Sequence, residues 1–213
     1  MKVMIAYDGS ASSEAVFEDL QRAGLPLTGE ALVVVVANIS RTPIPDPAEI
    51  RSMEKLVDDI EMTNIMVYTR RETQRISDAA RFTSAEGRER FSLLLPRWTV
   101  ENRSEVGDPA DELLSVADEW KPDLIIVGSH GRSAAGRALL GSVSQKVMTE
   151  ARCSVRVARC HVEKSDSPIR LVIGIDGSTS ARVAVREVAR RVWPASSEAR
   201  IATSRKDSIM GDF

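Results

Sequence analysis

Leu124-Ile125-Ile126-Val127 is an unbroken apolar run that stops at Gly128. A run of that length without alternation is what a strand buried on both faces of a parallel sheet requires. Gly128 then marks the strand's carboxyl end. Gly131 follows after two residues, and nine more separate it from Gly141-Ser142, where a helical pattern through Val143, Val147 and Met148 starts with the Ser at its head. Open parallel sheets bind ligands just beyond the carboxyl ends of their strands, and the N–H groups of a helix amino terminus attract phosphate. Gly128 and Gly131 would let a ligand meet bare backbone, Gly141 would leave the helix-start amides uncovered, and Ser142 would add a hydroxyl donor. A tight strand-to-helix connection, with glycines serving turn geometry alone, is the competing reading of the same residues.

Two familiar phosphate signatures fail here. Gly131 to Arg137 has the glycine spacing of a P-loop, but Arg137-Ala138 stands where Lys and then Ser or Thr are needed. A dinucleotide fingerprint needs three glycines at the first strand turn, and Asp8-Gly9-Ser10 has one.

The stretch GSHGRSAAGRALLGS, with WKPDLIIVGSHGR leading in and LLGSVSQKV leading out, resembles the nucleotide-binding signature of the universal stress protein family, ATP-binding branch. The resemblance implies an α/β fold: an open five-stranded parallel sheet flanked by helices, Rossmann-like and of the adenine nucleotide alpha hydrolase type, with strand order 3-2-1-4-5. It implies ATP as ligand, with Mg2+ as its companion, ribose and phosphates being held by Gly128, Gly131, Gly141 and Ser142. Ala6, Tyr7, Asp8, Ala37, Val127, Arg132 and Val143 complete the implied contacts, Asp8 at the nucleoside and Ala37 in the adenine wall.

The 213 residues suffice for one well-buried domain and something more, and the formal charge of −2 comes from interleaved acids and bases. That pattern lacks the basic stripe of a nucleic-acid binder. No apolar run approaches the length of a membrane span, and the amino terminus reaches Asp8 before a signal-peptide core could form, so a cytoplasmic protein is expected. Cys153 and Cys160, if the segment between them is extended, lie about 23 Å apart, beyond disulfide reach. Free thiols are expected, without a zinc site.

In chain order, Val3 to Tyr7 reads as a strand, Asp8-Gly9-Ser10 as its turn, and Ala15, Val16, Leu20 and Ala23 as a helix face with Ser10 or Ser12 as cap. Turn stabilisation competes with ligand contact as the role of Asp8. Ala31 to Ala37 is a second, central strand. The prolines of TPIPDP delay the next helix to about Ala48, Ile50, Met53, Val57 and Ile60 give it an apolar face, and Gly87 is expected to act as a break in the charged stretch beyond it. Trp98 to Asn102 reads as an edge strand, Asp108-Pro109 as a capped helix start with Leu113, Leu114, Val116 and Ala117 as its face, and Ser154 to Ala158 as a short fifth strand. By resemblance that fifth strand pairs across a homodimer. His130, inside the glycine loop, has no acid or nucleophile beside it in sequence and reads as a rim residue.

Residues 170 to 208 repeat 2 to 40 without a gap at an offset of 168: Asp8-Gly9-Ser10 recurs as Asp176-Gly177-Ser178, and Pro26 as Pro194. The expected division is a nucleotide-binding domain over 1–162, a linker over 163–169, and an incomplete second copy over 170–213 holding strand, helix and strand. Such a unit cannot close its own core.

These features support a binding and signalling module of the stress response, since no general base, metal cluster or activated nucleophile accompanies the loop. A slow ATP hydrolase using His130 or Asp8, and a dimerisation or chaperone-like scaffold with an empty pocket, are the competing functions.

Overall fold

The computed structural model of the chain describes residues 1–38, 59–129, 140–159 and 167–203. Two compact units emerge, Met1–Phe17 with Leu27–His161 and Glu18–Pro26 with Val162–Phe213.

The first unit is built on a parallel five-stranded sheet. Its strands are β1 (Lys2–Ala6), β2 (Glu30–Ala37), β3 (Thr99–Val106), β4 (Leu124–Gly128) and β5 (Ser154–Ala158), arranged in the order β3-β2-β1-β4-β5. The order is the one the resemblance implied. The uninterrupted apolar strands are the central ones: β1 aligns Val3, Met4 and Ile5 with Leu124, Ile125 and Ile126 of β4, and Val3 with Ala31 of β2. The polar alternation after Trp98 belongs to an edge strand, as expected, but that strand runs to Val106 and leaves Trp98 outside it. Trp98 is buried, with its ring edge-on to Phe91 at a centroid distance of 5.7 Å.

Because side chains alternate along a strand, the sheet buries two faces. On one, Met4, Leu32, Val34, Ile125 and Val127 meet Leu113 and Val116 of α3 (Pro109–Trp120) and Val147 of α4 (Ser142–Glu150). Asp108 caps α3, accepting from the amides of Ala110 and Asp111, with Pro109 in the first turn. Met148, expected beside Val147, points to solvent.

The other face carries α1 (Ala11–Leu20) and α2 (Asp59–Leu94). Gly87 does not break α2, whose 36 residues pass straight through it. The reason is packing: a Cβ on Gly87 would lie 2.9 Å from both Tyr7 Cδ1 and Val33 Cγ1. The glycine lets the helix lie directly on the sheet, at some cost in helix propensity. Ala80, Ser84, Gly87 and Phe91 form the buried stripe, at helical spacing. The apolar series Ile50, Met53 and Val57 lies outside the described residues. No described helix is long and apolar enough to cross a membrane.

In the second unit β6 (Arg170–Ile175) pairs in parallel with β7 (Glu198–Thr203), and α5 (Thr179–Arg190) joins them. The register Arg170↔Glu198 is that of Lys2↔Glu30 displaced by 168. Within this unit the Gly24 carbonyl accepts from Val192 N–H, and Ala23 from the Arg191 guanidinium, so equivalent positions of the repeat meet each other.

Candidate functional site

From β1 and β4, hydrogen-bonded neighbours, the chain proceeds in opposite directions across the sheet, to β2 and β3 on one side and to β5 on the other. This is the topological switch point, where loops leaving adjacent strands part and open a crevice. Ala6, Tyr7 and Asp8 leave β1 at that edge, and Val127 and Gly128 leave β4. Ala37 ends β2 on the same edge, where its carbonyl accepts from Gly107 N–H.

The strand end after Gly128 and the start of α4 are tied together. Gly141 N–H donates to the Ser129 carbonyl at 2.8 Å, and Ser129 N–H donates to Ala158 of β5, also at 2.8 Å. The hydroxyl of Ser144, a buried residue, lies 2.9 Å from the Gly141 carbonyl and 3.3 Å from that of Ser129. Ser129, after β4, and Gly141, before α4, are therefore held at one point. His130, Gly131 and Arg132 lie outside the described residues.

Ser142 is not the cap that its place in the sequence suggested. Gly141 occupies the N-cap in an extended conformation (φ −64°, ψ 154°), with no side chain among the described residues capping the helix, and Ser142 is the first helical residue, exposed. The first amides of a helix have no intrahelical acceptor. By contrast, α1, α3 and α5 are each capped by a side chain, Ser10, Asp108 and Ser178. Helix-start amides that no described side chain caps, at the sheet's carboxyl edge, suit a phosphate group. Lys146, in the second turn of α4, donates to Asp111, and that hydrogen bond holds its ammonium pKa above the ordinary lysine value.

Asp8 has structural work in the turn. Its Oδ1 accepts from Ser10 N–H at 3.0 Å, while Gly9 takes the left-handed conformation at φ +72°. The second unit reproduces this: Asp176 accepts from Ser178 N–H at 2.9 Å, with Gly177 at φ +83°. Those Ser178 hydrogen bonds hold the Asp176 carboxyl below the usual range. Ser10, of the two candidates, is the cap of α1, accepting from Ser13 N–H.

Side chains of three expected site residues are taken up in packing. The Tyr7 hydroxyl donates to Glu14 at 2.5 Å, its ring stands edge-on to Phe17, and Arg90 of α2 pairs with the other Glu14 oxygen. Val127 is in the core cluster and Val143 packs against it. Sequence reasoning missed Ser129, Ser144, Glu14 and Arg90; Ser144, two residues past Ser142 on the buried side of α4, was the legible one. Among the described residues no three His, Cys, Asp or Glu side chains converge as metal ligands. Cys153 is a free thiol whose pKa is raised, first by burial and then by Asp123.

A family model described as the universal stress protein family matches residues 1–159. A universal stress protein of Methanocaldococcus jannaschii is 33% identical over 86 residues, 39% of this chain and 51% of that protein. One from Methanothermobacter thermautotrophicus is 47% identical over 53 residues, 25% of this chain and 36% of the relative. These matches span about half or less of each relative. Among solved structures, a universal stress protein from Archaeoglobus fulgidus superposes with a TM-score of 0.66 at 20% identity, over 99% of this chain and 68% of that one. At that identity the likeness concerns the fold.

Proposed function

This chain belongs to the universal stress protein family, and from that premise we propose that it binds an adenine nucleotide, ATP with Mg2+, in the crevice between the carboxyl ends of β1 and β4. The observation that carries the reading is the tie between strand end and helix start: Gly141 bonded to Ser129, with the first turn of α4 directly behind it and no described side chain capping it. The phosphates would meet the backbone of Gly128, Gly131, Gly141, Ser142 and Val143, with the Ser142 hydroxyl and Arg132 adding polar contacts. The nucleoside would lie along Ala6, Tyr7, Asp8, Ala37 and Val127, mostly against backbone. Mg2+ beside nucleotide phosphates keeps several waters and takes phosphate oxygens. The protein would act in the cytoplasm, as a stress-response module that signals through its loaded state.

The domain arrangement belongs to the same proposal. Residues 1–162 form the binding domain, 163–169 a linker, and 170–213 a second copy of its first strand, helix and strand. β5 lies at the edge of the sheet formed by the described strands, and an edge strand suits pairing with the β5 of a second chain.

Calorimetric titration with ATP, with hydrolysis followed on the same sample, tests this reading. Binding without turnover supports it. Turnover would favour the slow hydrolase, and absence of binding the scaffold.

A further inference from the structure

In the second unit the positions that fill the core of the first are open to solvent. Met4 and Val33 are 0% exposed, whereas their equivalents Val172 and Ile201 are 73% and 61% exposed. A two-stranded sheet with one helix is marginal alone. Among the described residues β6 is bonded to β7 only, so its other edge carries unpaired N–H and C=O groups. On the sheet face away from α5 that edge presents Arg170, Val172, Gly174 and Asp176, all exposed, with open space above Gly174.

We propose that this edge is a pairing surface for a second copy of the chain, β6 against β6 in antiparallel fashion about a two-fold axis at Ile173. The sequence Arg170-Leu-Val-Ile-Gly-Ile-Asp176 is complementary to itself in that register. Arg170 falls opposite the partner's Asp176, Leu171 opposite the partner's Ile175, Val172 opposite the partner's Gly174, and Ile173 opposite itself. Opposite charges and paired apolar residues across an antiparallel ladder each favour it, and a two-fold interface requires such self-complementarity. A parallel arrangement of the same two strands would place like charges opposite, Arg170 on Arg170 and Asp176 on Asp176. The result is a four-stranded sheet, β7-β6-β6-β7, in which each Arg170–Asp176 pair closes one end. This contact is separate from the β5 pairing of the first unit and would add to it.

The test is a crosslink at the axis. Directly opposed residues of an antiparallel pair have α carbons about 4.5–5.5 Å apart, within disulfide reach. In the full chain with Cys153→Ser and Cys160→Ser, Ile173→Cys should give a covalent dimer on mild oxidation, and Ile201→Cys on β7 should not. Arg170→Asp alone should suppress the crosslink, and Arg170→Asp with Asp176→Arg should restore it. A second measurement covers loss of folding: hydrogen exchange on the unsubstituted chain should protect the Val172 and Gly174 amides, which point away from β7, increasingly with protein concentration. Equal crosslinking at 173 and 201, or a crosslink indifferent to the charge reversal, would overturn the proposal. So would protection of those amides in a monomer, which would mean that the edge is covered by a strand of the same chain.

Discussion

Gly141 N–H and the Ser129 carbonyl meet at 2.8 Å, which ties the start of α4 to the residue that follows β4. A tie of this kind sets the first amides of α4 beside the strand end before a ligand arrives, which lowers the cost of binding there.

Ser144 holds that anchor from below. Its hydroxyl serves both the Gly141 and Ser129 carbonyls in a buried position, so Ser144→Ala should cost about 1–2 kcal/mol of stability and weaken nucleotide binding as well. Ser142→Ala, by contrast, should leave stability unchanged, because Ser142 caps nothing. Urea unfolding of the two variants, compared with their ATP affinities, checks both statements.

Gly87→Ala sets two effects against each other. Alanine gains about 1 kcal/mol of helix propensity, but its Cβ would stand 2.9 Å from Tyr7 and Val33, and overpacking of this kind costs about 1–3 kcal/mol. Both neighbours are buried, one within β2 and the other directly after β1, and neither can retreat. A net loss of stability is therefore expected, seen as a lower urea midpoint. A gain would mean that α2 sits farther from the sheet.

The position of Gly87 also shows what a sequence conceals. The sheet was legible because uninterrupted apolar runs such as Leu124 to Val127 have one place to go, a strand covered on both faces. The helix through Gly87 was not, because a glycine that breaks a helix and one that lets a helix approach a sheet look alike until the neighbour is known. The same limit holds at the site. Gly128 and Gly141 could be placed from spacing alone, while the burial of the Tyr7 side chain depends on Glu14 and Arg90, and Arg90 comes from a helix whose path the sequence leaves open. Asp8 and Asp176 are a subtler case, since the repeated turn accounts for both acids without any ligand.

Cys153 should react slowly with iodoacetamide near neutral pH. Burial and the nearby Asp123 raise its pKa, so the thiolate fraction falls below that of an ordinary thiol. The folded-state value lies above the unfolded one; the thiol's contribution to stability is therefore level below the ordinary thiol range and turns unfavourable as pH climbs through that range to the raised value. Peptide mapping after alkylation at several pH values reads Cys153 separately from Cys160. Rapid labelling of Cys153 at neutral pH in the folded protein would contradict the packing described.

Asp8→Ala should lower both stability and ATP affinity, and Asp176→Ala stability alone. Each acid accepts a turn amide, but in the proposed function Asp8 belongs to the nucleotide site and Asp176 does not. Loss of affinity in both variants would show that the second unit takes part in binding.

The most direct measurement is calorimetry of the full chain with ATP, paired with Gly141→Val. A valine at the N-cap would cover the first amides of α4 and block the phosphate path, while circular dichroism should report an unchanged fold. The account predicts saturable binding at one site per chain, abolished by the substitution. Equal affinity in the two proteins, or no binding by the unsubstituted chain, would contradict it.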